Sequence, residues 1–365
     1  MYYIYKHYDW PNFTWDQKTI LKVLPEIRHV QGKVFGKMSA MGFSLQSEAV
    51  LETLSLDIIK SSEIEGEILN AQSVRSSIAK RLGIDVGGTY TYDRNIEGFT
   101  DIMIDATQKF DQPLSLARLF AWHTSIFPYG SDQHKVTVGK WRTDRDGPMR
   151  VVSGMMGKDT IHFEAPEANL LEAEMKKFID WFNNENDIDP ILKAAIAHLW
   201  FITLHPFEDG NGRIARVLTD LLLARSDGSA QRFYSMSAQI RIDRKQYYDI
   251  LERTQKGQLD ITPWILWFLD CLKKALLTTE SHTNKVLAKA SFWSKHIGIS
   301  LNARQNKIIH LLLNDFEGKL NTSKWAKICK CSTDTALRDI QDLQNKGVLQ
   351  QEIGGGRSTS YILTN

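Results

Sequence analysis

Residues 205–216 bring together side chains that suit chemistry on a phosphate group. They begin with His205, continue as Pro-Phe-Glu-Asp-Gly-Asn-Gly-Arg, and end with Arg216. An imidazole has an ordinary pKa of about 6.5, near working pH, so His205 can accept a proton from a hydroxyl and later release it. Asp209 adds a hard oxygen ligand of the kind that magnesium binds. Arg213 and Arg216 lie three positions apart on one helical face, where guanidiniums can hold phosphate oxygens.

Two helices are predicted to position these side chains. Apolar residues recur at three- and four-residue steps, at Ile191, Leu192, Ala195, Ile196, Leu199 and Ile202 before the motif and at Ile214, Val217, Leu218, Leu221 and Leu222 after it. Pro206 ends the first helix, and the second begins at Gly210 to Gly212. Because the first N–H groups of a helix are unpaired and lie at the positive end of its dipole, this start predicts a phosphate site.

Three other interpretations compete for the same residues. Residues 210–215 match a dinucleotide-binding fingerprint, but helical rather than strand periodicity precedes them. A zinc site built from His198, His205 and Asp209 has no recognised ligand spacing, and a lone histidine in an apolar helix is more often a core residue. A simple turn between two helices explains neither the base nor the carboxylate.

The motif resembles the signature of the Fic family, HxFx(D/E)GNGRxxR, and matches it at every fixed position. The resemblance implies transfer of a nucleoside monophosphate, usually AMP from ATP with Mg²⁺, to a Ser, Thr or Tyr hydroxyl of a target protein, with release of pyrophosphate. It implies that His205 is the catalytic base and Asp209 the metal ligand. The other implied contacts are Gly210, catalytic Asn211 and Gly212 at the α-phosphate, and Arg213, also catalytic, and Arg216 at the β- and γ-phosphates.

A second group of polar residues lies upstream, at positions 61–67. By itself this acidic patch is typical of a solvated helix end, with Gly66 as a possible C-cap. Beside the Fic resemblance, Ser61, Glu65 and Gly66 look like the (S/T)xxxE(G/N) inhibitory motif of self-inhibited members. The resemblance implies that the Glu65 carboxylate pairs with Arg216 and occupies the place of the γ-phosphate.

Residues 151–166 contain two short β-prone runs around Gly154 and Gly157, which predict a hairpin. The resemblance implies that this hairpin is a flap that holds the target protein by strand addition, a mode that uses main-chain hydrogen bonds. Residues 139–142 are similar to a GxxR element of the family that we interpret as structural. Three later residues resemble the segment lining the nucleotide pocket, although ordinary aromatic packing explains them nearly as well: Tyr247, Tyr248 and Gln255.

The fold is predicted to be mainly α, with a helical Fic core, the flap, an N-terminal helical domain and a C-terminal winged helix. We expect the N-terminal domain, carrying the inhibitory motif, over residues 1–100 and the catalytic core over 101–277. A polar stretch at 278–283 is interpreted as a break, and the winged helix follows over 284–365.

The winged helix is predicted from three helices and a hairpin. The helices are expected over 303–314, from a cap at Ser323, and from a cap at Ser332 to Lys346; the strands at 348–353 and 360–363 flank a turn at 354–357. The third helix carries Asp334, Asp339 and Asp342 against Arg338 and Lys346. Because acidic residues oppose binding to phosphates, contact with protein is favoured over DNA.

Composition limits the class of protein. The 365 residues carry a net charge of +2, which gives no general attraction to nucleic acid or an anionic membrane. The three cysteines, Cys271, Cys329 and Cys331, are too few for a disulfide framework, so a cytoplasmic location is expected. No apolar run suits a membrane span. A homodimer remains possible.

The sequence is compatible with three functions. The first is a self-inhibited protein adenylyltransferase. The second is the reverse reaction, removal of AMP from a modified protein, with Glu65 placing a water. The third is a DNA-binding regulator whose Fic core senses a nucleotide.

Overall fold

The computed structural model describes residues 2–84, 93–128, 136–145, 147–153, 160–313, 316, 318–352 and 359–364. The chain divides into two compact units, Met1–Glu280 and Ser281–Asn365. None of the described helices is both long and apolar enough to cross a membrane. The predicted mainly α fold is confirmed.

Most of the first unit is helical. After a 3-10 turn at Ile4–Lys6, its helices are α1 (Gln17–Ser39), α2 (Phe43–Ile64), α3 (Ala71–Leu82), α4 (Arg94–Gln108), α5 (Leu116–Ile126), α6 (Leu171–Asn184, after a 3-10 turn at Ala168–Leu170), α7 (Pro190–Leu204), α8 (Asn211–Asp227), α9 (Met236–Ile242), α10 (Arg244–Gln255) and the start of α11 (Thr262–Lys295). Several begin at side chains that accept hydrogen bonds from first-turn N–H groups: Asp16, Asn70, Asp93, Ser115, Asp189 and Ser235.

Helices α7 and α8 form the centre of the first unit. Every residue from Ile191 to Leu204 is buried, and so is nearly all of α8 as far as Ala224. A helix that is apolar on all sides is stable only when other elements surround it. The predicted pair of helices before and after the motif is therefore confirmed, and the motif lies at the junction between them.

The predicted hairpin is present as β1 (Arg150–Ser153) and β2 (Thr160–Glu164). The strands are antiparallel, with Arg150 opposite Glu164 and Ser153 opposite Thr160, and their register shifts between Val151 and Val152. The tip at 154–159, including Gly154 and Gly157, lies outside the described residues.

The N-terminal turn packs on the base of this hairpin. The rings of Tyr3 and Tyr5 meet Phe163 of β2 edge to face, with centroids 5.1 and 6.1 Å away. The Tyr5 hydroxyl donates to the carbonyl of Ala165. The first residues of the chain therefore help to fix the position of the hairpin.

The second unit has winged-helix order. Helices α12 (Ala303–Leu313), α13 (Thr322–Cys329) and α14 (Thr333–Asn345) precede an antiparallel pair, β3 (Leu349–Gln351) and β4 (Tyr361–Leu363). They pack around Trp325, Ile308 and Ile340. The predicted turn at 354–357 lies outside the described residues.

Two details of this region correct the sequence analysis. The cap of α13 is Asn321, whose side chain accepts from Lys324 N, rather than Ser323. Both residue types cap helices well, so the pattern alone could not choose between them. The polar stretch 278–283 does not interrupt the helical structure, because α11 runs through it, although the division between the two compact units falls within this stretch. It contains neither Gly nor Pro, so nothing in its backbone chemistry interrupts a helix.

The acidic residues of α14 are largely neutralised within the second unit. Asp339 is buried and accepts hydrogen bonds from Arg304 and Asn302. Asp342 accepts from Lys346 and from Gln305. These carboxylates therefore oppose DNA binding less than the sequence suggested, since they already have partners.

Candidate active site

The loop that joins α7 to α8 places His205 at the end of one buried helix and Gly210 at the start of the next. His205 has a φ of 48° and Gly210 a φ of 79°, both left-handed. A left-handed conformation is costly for a residue with a Cβ unless its surroundings hold it. The contacts that hold this loop come from within α8 and from two upstream segments.

Asn211 closes the loop from within. Its Oδ1 accepts from Phe207 N at 2.9 Å, and its Nδ2 donates to Phe207 O at 2.8 Å. The side chain predicted to line the anion hole is thus bonded to the loop backbone. Its contribution to the site in this structure is to shape the loop.

Arg142 holds the loop from outside. Its Nε donates to the carbonyl of His205 at 2.8 Å, and its backbone N donates to Pro206 O at 2.9 Å. The buried guanidinium also bonds Pro166 O and Asp144. These bonds agree with the structural interpretation of residues 139–142.

His123 supports the same loop, and the sequence analysis missed it. Its Nδ1 accepts from Gly139 N at 3.0 Å, so Nε2 carries the proton and donates to Asp209 O at 3.2 Å. Its ring stacks on Phe207, with centroids 4.0 Å apart. Desolvation lowers the pKa of His123 to about 4. No sequence spacing links this histidine to the motif, because the contact crosses from α5.

The His205 ring is suited to act as a base. Its Nδ1 lies 3.3 Å from the carbonyl of Ile202, which can only accept, so Nδ1 carries the proton and Nε2 the lone pair in the neutral ring. Desolvation lowers the pKa of His205 to about 4, although the charges of Glu65 and Asp209 act in the opposite direction. The imidazole is therefore neutral at pH 7.

Asp209 is exposed, and its Oδ1 accepts from Gly210 N at 2.6 Å. Among the described residues, no group of three His, Cys, Asp or Glu side chains could enclose a metal. A single carboxylate nevertheless fits magnesium, which keeps several waters and is commonly held by one or two carboxylates together with substrate phosphates. The neighbouring Glu208 instead accepts from the backbone and hydroxyl of Thr137.

The Glu65 carboxylate lies at the N-terminus of α8. Its Oε1 accepts from Arg216 Nη2 at 2.7 Å. The same oxygen would be 2.2 Å from a Cβ built on Gly212, so only glycine leaves room for it. An acidic group therefore already occupies the place where the motif predicts an anion.

Arg216 is buried to 2 % exposure and has further partners on α2. Its Nε donates to Ser61 Oγ at 2.7 Å and its Nη2 to Ser61 O at 3.0 Å. Nη1 is buried and has no hydrogen-bond partner among the residues that the structure describes. Desolvation lowers the pKa of Arg216, but the charge of Glu65 and its other partners outweigh this effect, so the pKa lies above its ordinary value.

Gly66 makes this arrangement possible. Helix α2 ends at Ile64, and Gly66 follows with a φ of 88° while Glu67 N donates back to Ser62 O. This left-handed helix end favours glycine. It reverses the chain directly after Glu65.

A second carboxylate of this segment reaches the other arginine, and the sequence analysis missed it. Glu67 Oε2 lies 2.9 Å from Arg213 Nη1, and Oε1 lies 3.1 Å from the same atom. The Arg213 guanidinium also lies over the Phe127 ring. Each motif arginine is thus paired with one glutamate of the segment, and the only sequence signal for Glu67 was its place beside Gly66.

Helix α10 supplies one wall of a cavity of about 640 Å³. Tyr247 is buried and its hydroxyl bonds His198 Nε2 at 2.9 Å, whereas the Tyr248 ring is more exposed and lies beside Arg244. Gln255 donates to Thr203. Both predictions for this helix therefore have support, because the residues are packed and also face a cavity.

The cavity brings together six residues of the predicted site. Its lining includes His205, Gly212, Glu65, Tyr247, Tyr248 and Gln255, together with residues of β1 and β2. Arg213, Arg216 and Asn211 are not in that lining. The two arginines lie behind the carboxylates of residues 61–67, and His198 belongs to the core, bonded to Thr219 and Tyr247.

Family models match three successive parts of the chain. Residues 3–84 match a domain of unknown function (DUF4172), residues 113–223 match the Fic/DOC family, and residues 304–361 match a DeoR-like helix-turn-helix domain. The chain carries a Fic domain. The Fic match ends within α8 and includes the whole of the 205–216 motif.

Curated relatives are similar over the Fic region. The chain is 27% identical to Protein adenylyltransferase Fic of Drosophila mojavensis over 216 residues, which are 58% of this chain and 38% of the relative. It is 30% identical to Protein adenylyltransferase fic-1 of Caenorhabditis elegans over 178 residues, 48% of this chain and 32% of the relative. The matched part is well under half of either relative.

Solved structures share the fold. A Fic family protein from Desulfovibrio desulfuricans G20 aligns over 97% of this chain and 98% of its own, with a TM-score of 0.55 and 20% identity. A Fic domain containing signaling protein from Bacteroides thetaiotaomicron VPI-5482 aligns over 70% of this chain and 97% of its own, with a TM-score of 0.51 and 19% identity.

Proposed function

We propose that this protein is a self-inhibited adenylyltransferase that moves AMP from ATP to a hydroxyl side chain of another protein. The observation that carries the proposal is the Glu65 carboxylate, which lies against Gly212 and pairs with Arg216 at the start of α8. An acidic side chain held there marks the site as one that binds anions. It also competes with any anionic substrate for the same arginine.

His205 acts as the base in this proposal. Its Nε2 lone pair takes the proton of the target hydroxyl while that oxygen bonds to the α-phosphorus of ATP. The bond from the α-phosphorus to the bridging oxygen breaks, and pyrophosphate leaves with the electron pair. Because the ring is neutral at pH 7, no proton must be removed before this step.

The charge of the phosphates is met by α8. Its first N–H groups and the dipole favour the α-phosphate, and glycine at 212 lets the phosphate approach the backbone. Arg213 and Arg216 hold the β- and γ-phosphates once Glu67 and Glu65 leave them. Such positioning and charge neutralisation supply most of the catalysis of phosphoryl transfer.

Magnesium would be held by Asp209 together with phosphate oxygens, and would supply charge neutralisation when bound. The Oδ1 of Asp209 is already oriented by Gly210 N. This contact keeps the carboxylate beside the start of α8. The donor set fits a hard cation and gives no reason to expect a softer metal.

The target protein binds along the hairpin in this proposal. Val152 and Ile161 are 51% and 40% exposed, one on each strand. An added strand would form main-chain hydrogen bonds with the hairpin, and its side chains could pack on Val152 and Ile161. The chemistry requires only that a hydroxyl of the added segment reaches the cavity near His205.

The deciding experiment measures labelling of lysate proteins with α-labelled ATP and magnesium. Glu65→Ala should raise the initial rate at least roughly tenfold, the factor that corresponds to about 1.4 kcal/mol of recovered phosphate binding. Glu63→Ala is the matched control, since Glu63 also ends α2 but pairs with Lys60 and Arg241. An unchanged rate in Glu65→Ala would leave the pair without an inhibitory role. Loss of activity together with loss of AMP removal from a labelled protein would favour the reverse reaction.

A second candidate function is DNA binding by the winged helix. It is favoured by the exposed side chains of α14, which include Thr333, Arg338, Gln341 and Asn345, groups able to contact base edges. Mobility shift of the full chain on random duplex DNA, with and without Arg338→Ala, tests it at physiological salt. Absence of a shift would remove this candidate.

A further inference from the structure

Three residues beside the site form a hydrogen-bonded row to which the sequence analysis gave no role. Ser153 Oγ on β1 lies 2.5 Å from His162 Nε2 on β2, and His162 Nδ1 lies 2.6 Å from Glu252 Oε2 on α10. All three line the same cavity as His205. The side chains of His162 and Glu252 are about one-third exposed, so the row is open to a ligand.

The partners fix the direction of each hydrogen bond. A carboxylate can only accept, so His162 Nδ1 carries a proton and donates to Glu252. In the neutral ring Nε2 then holds the lone pair and accepts from the Ser153 hydroxyl. A serine whose proton is already directed at an imidazole, itself oriented by a carboxylate, is arranged as an activated nucleophile.

Glu252 is suited to stabilise a charged imidazole. Desolvation raises its pKa, but hydrogen bonds from Lys256 and His162 outweigh this, so the pKa lies below its ordinary value. The carboxylate therefore stays ionised at neutral pH. An imidazolium formed at His162 would face a full negative charge.

We propose that Ser153 is an acceptor of AMP in a self-transfer reaction, so that the protein modifies its own hairpin. This inference rests on the proposed function, because it needs ATP in the cavity. Ser153 Oγ forms a bond to the α-phosphorus, the bond to the bridging oxygen breaks, and pyrophosphate leaves with that electron pair. The Ser153 proton passes to His162 Nε2.

The bound product has a consequence for later turnover. AMP attached to Ser153 remains in a cavity of about 640 Å³ that a second ATP must enter. Modified protein therefore transfers AMP to other proteins more slowly than unmodified protein does. The rate of transfer to other proteins would therefore fall with time as Ser153 becomes modified.

The test uses the full chain with Glu65→Ala, incubated with ATP and magnesium and mapped by peptide mass spectrometry. We expect a Ser153 peptide heavier by one AMP group, absent from Ser153→Ala. Thr160→Ala is the matched control, because Thr160 lies opposite Ser153 on the same hairpin. It should leave Ser153 occupancy unchanged.

A second variant tests the row itself. His162→Asn should lower Ser153 occupancy relative to lysate labelling by roughly a hundredfold, the lower range for loss of a general base. An equal fall in both signals would overturn the role of His162 as the base for Ser153. Modification of Ser153 by a fluorophosphonate probe but not by ATP would overturn the proposal in favour of a hydrolase.

Pyrophosphate release distinguishes failure of self-transfer from failure of the proposed function. Release and lysate labelling without AMP on Ser153 overturn self-transfer and leave the proposed function intact. No release at all overturns both. Release with AMP on Ser153 supports both.

Discussion

The loop at residues 205–210 and the segment at residues 61–67 meet at the start of α8 but are held in different ways. The loop is fixed through its backbone, by Asn211 from within and by Arg142 and His123 from outside. The segment contacts Arg213 and Arg216 through the carboxylates of Glu67 and Glu65, which are 49% and 31% exposed. Its other contacts with these arginines include the buried hydrogen bond from Arg216 to Ser61 on α2.

This difference assigns different tasks to the two regions. Backbone hydrogen bonds at a buried loop preserve one geometry, which suits catalytic groups that must be placed accurately. Partly exposed carboxylates on buried arginines can be replaced by another anion without unfolding the helix beneath them. Regulation is therefore expected to act on the segment, and damage to activity is expected to come from changes to the loop.

The largest effect on the rate of transfer should come from removing His205, the proposed catalytic base. In the Glu65→Ala background, His205→Ala should lower the rate of transfer by roughly 10² to 10⁴, the range for loss of general-base catalysis. ATP affinity, measured by calorimetry, should change little, because the imidazole acts on the attacking hydroxyl. An equal loss of affinity and rate would place His205 in nucleotide binding instead.

Breaking the outer support of the loop should reduce stability. Arg142→Ala removes a buried guanidinium and leaves carbonyl groups unsatisfied, so we expect the free energy of unfolding to fall by about 3 kcal/mol. Arg150→Ala is the control, because its ion pair with Glu164 is exposed and worth less than about 1 kcal/mol. Urea unfolding measures both. Similar losses in the two variants would mean that Arg142 does not carry the loop.

The pH dependence of activity should reveal the environment of His205. Its lowered pKa, about 4, keeps the base unprotonated until the pH falls through that value. In the Glu65→Ala variant, kcat/KM should therefore hold between pH 7 and 5.5, where an ordinary histidine would lose about tenfold. Removing Glu65 also removes a charge that raises this pKa, which strengthens the expectation. An acid limb near 6.5 would mean that the ring is solvated during turnover.

The smallest effect should come from the second glutamate. Glu67 is about half exposed, and exposed ion pairs contribute about 0.2–1 kcal/mol, so Glu67→Ala should raise the labelling rate by only a few-fold. Added to Glu65→Ala, it should increase the rate further. If Glu67→Ala instead lowers the rate, the pair with Arg213 supports the site rather than closing it.

The sequence predicted the motif and the elements around it because the chemistry requires fixed residue types there. A glycine at 212, arginines at 213 and 216 and two flanking apolar helices leave few other arrangements. The hairpin followed from β-prone runs. The general position of the segment at residues 61–67 followed from Ser61, Glu65 and Gly66, and its predicted contact with Arg216 is present in the structure.

Contacts across distant segments could not be predicted in the same way. His123 and Glu67 reach the motif from α5 and from the end of α2, and neither has a spacing that marks it. The charge on α14 was misjudged because sequence counts a carboxylate without its partner, and Asp339 has Arg304. The position of the cap at Asn321 and the continuity of α11 could not be predicted because the local residues suit both alternatives. Asn and Ser both cap helices, and the polar residues at 278–283 occur in helices as well as in loops.

Glu65 is tethered to the site by its own chain, and Gly212 leaves the room that its carboxylate needs. Because the carboxylate belongs to the same chain, its effective concentration at Arg216 does not change with dilution, and short flexible tethers set such concentrations in the millimolar range, about 1 mM or more. In the proposed function, ATP therefore competes with a carboxylate that cannot diffuse away. We therefore expect the activity of the protein to respond more strongly to displacement of α2 or its end than to changes in the concentration of the protein.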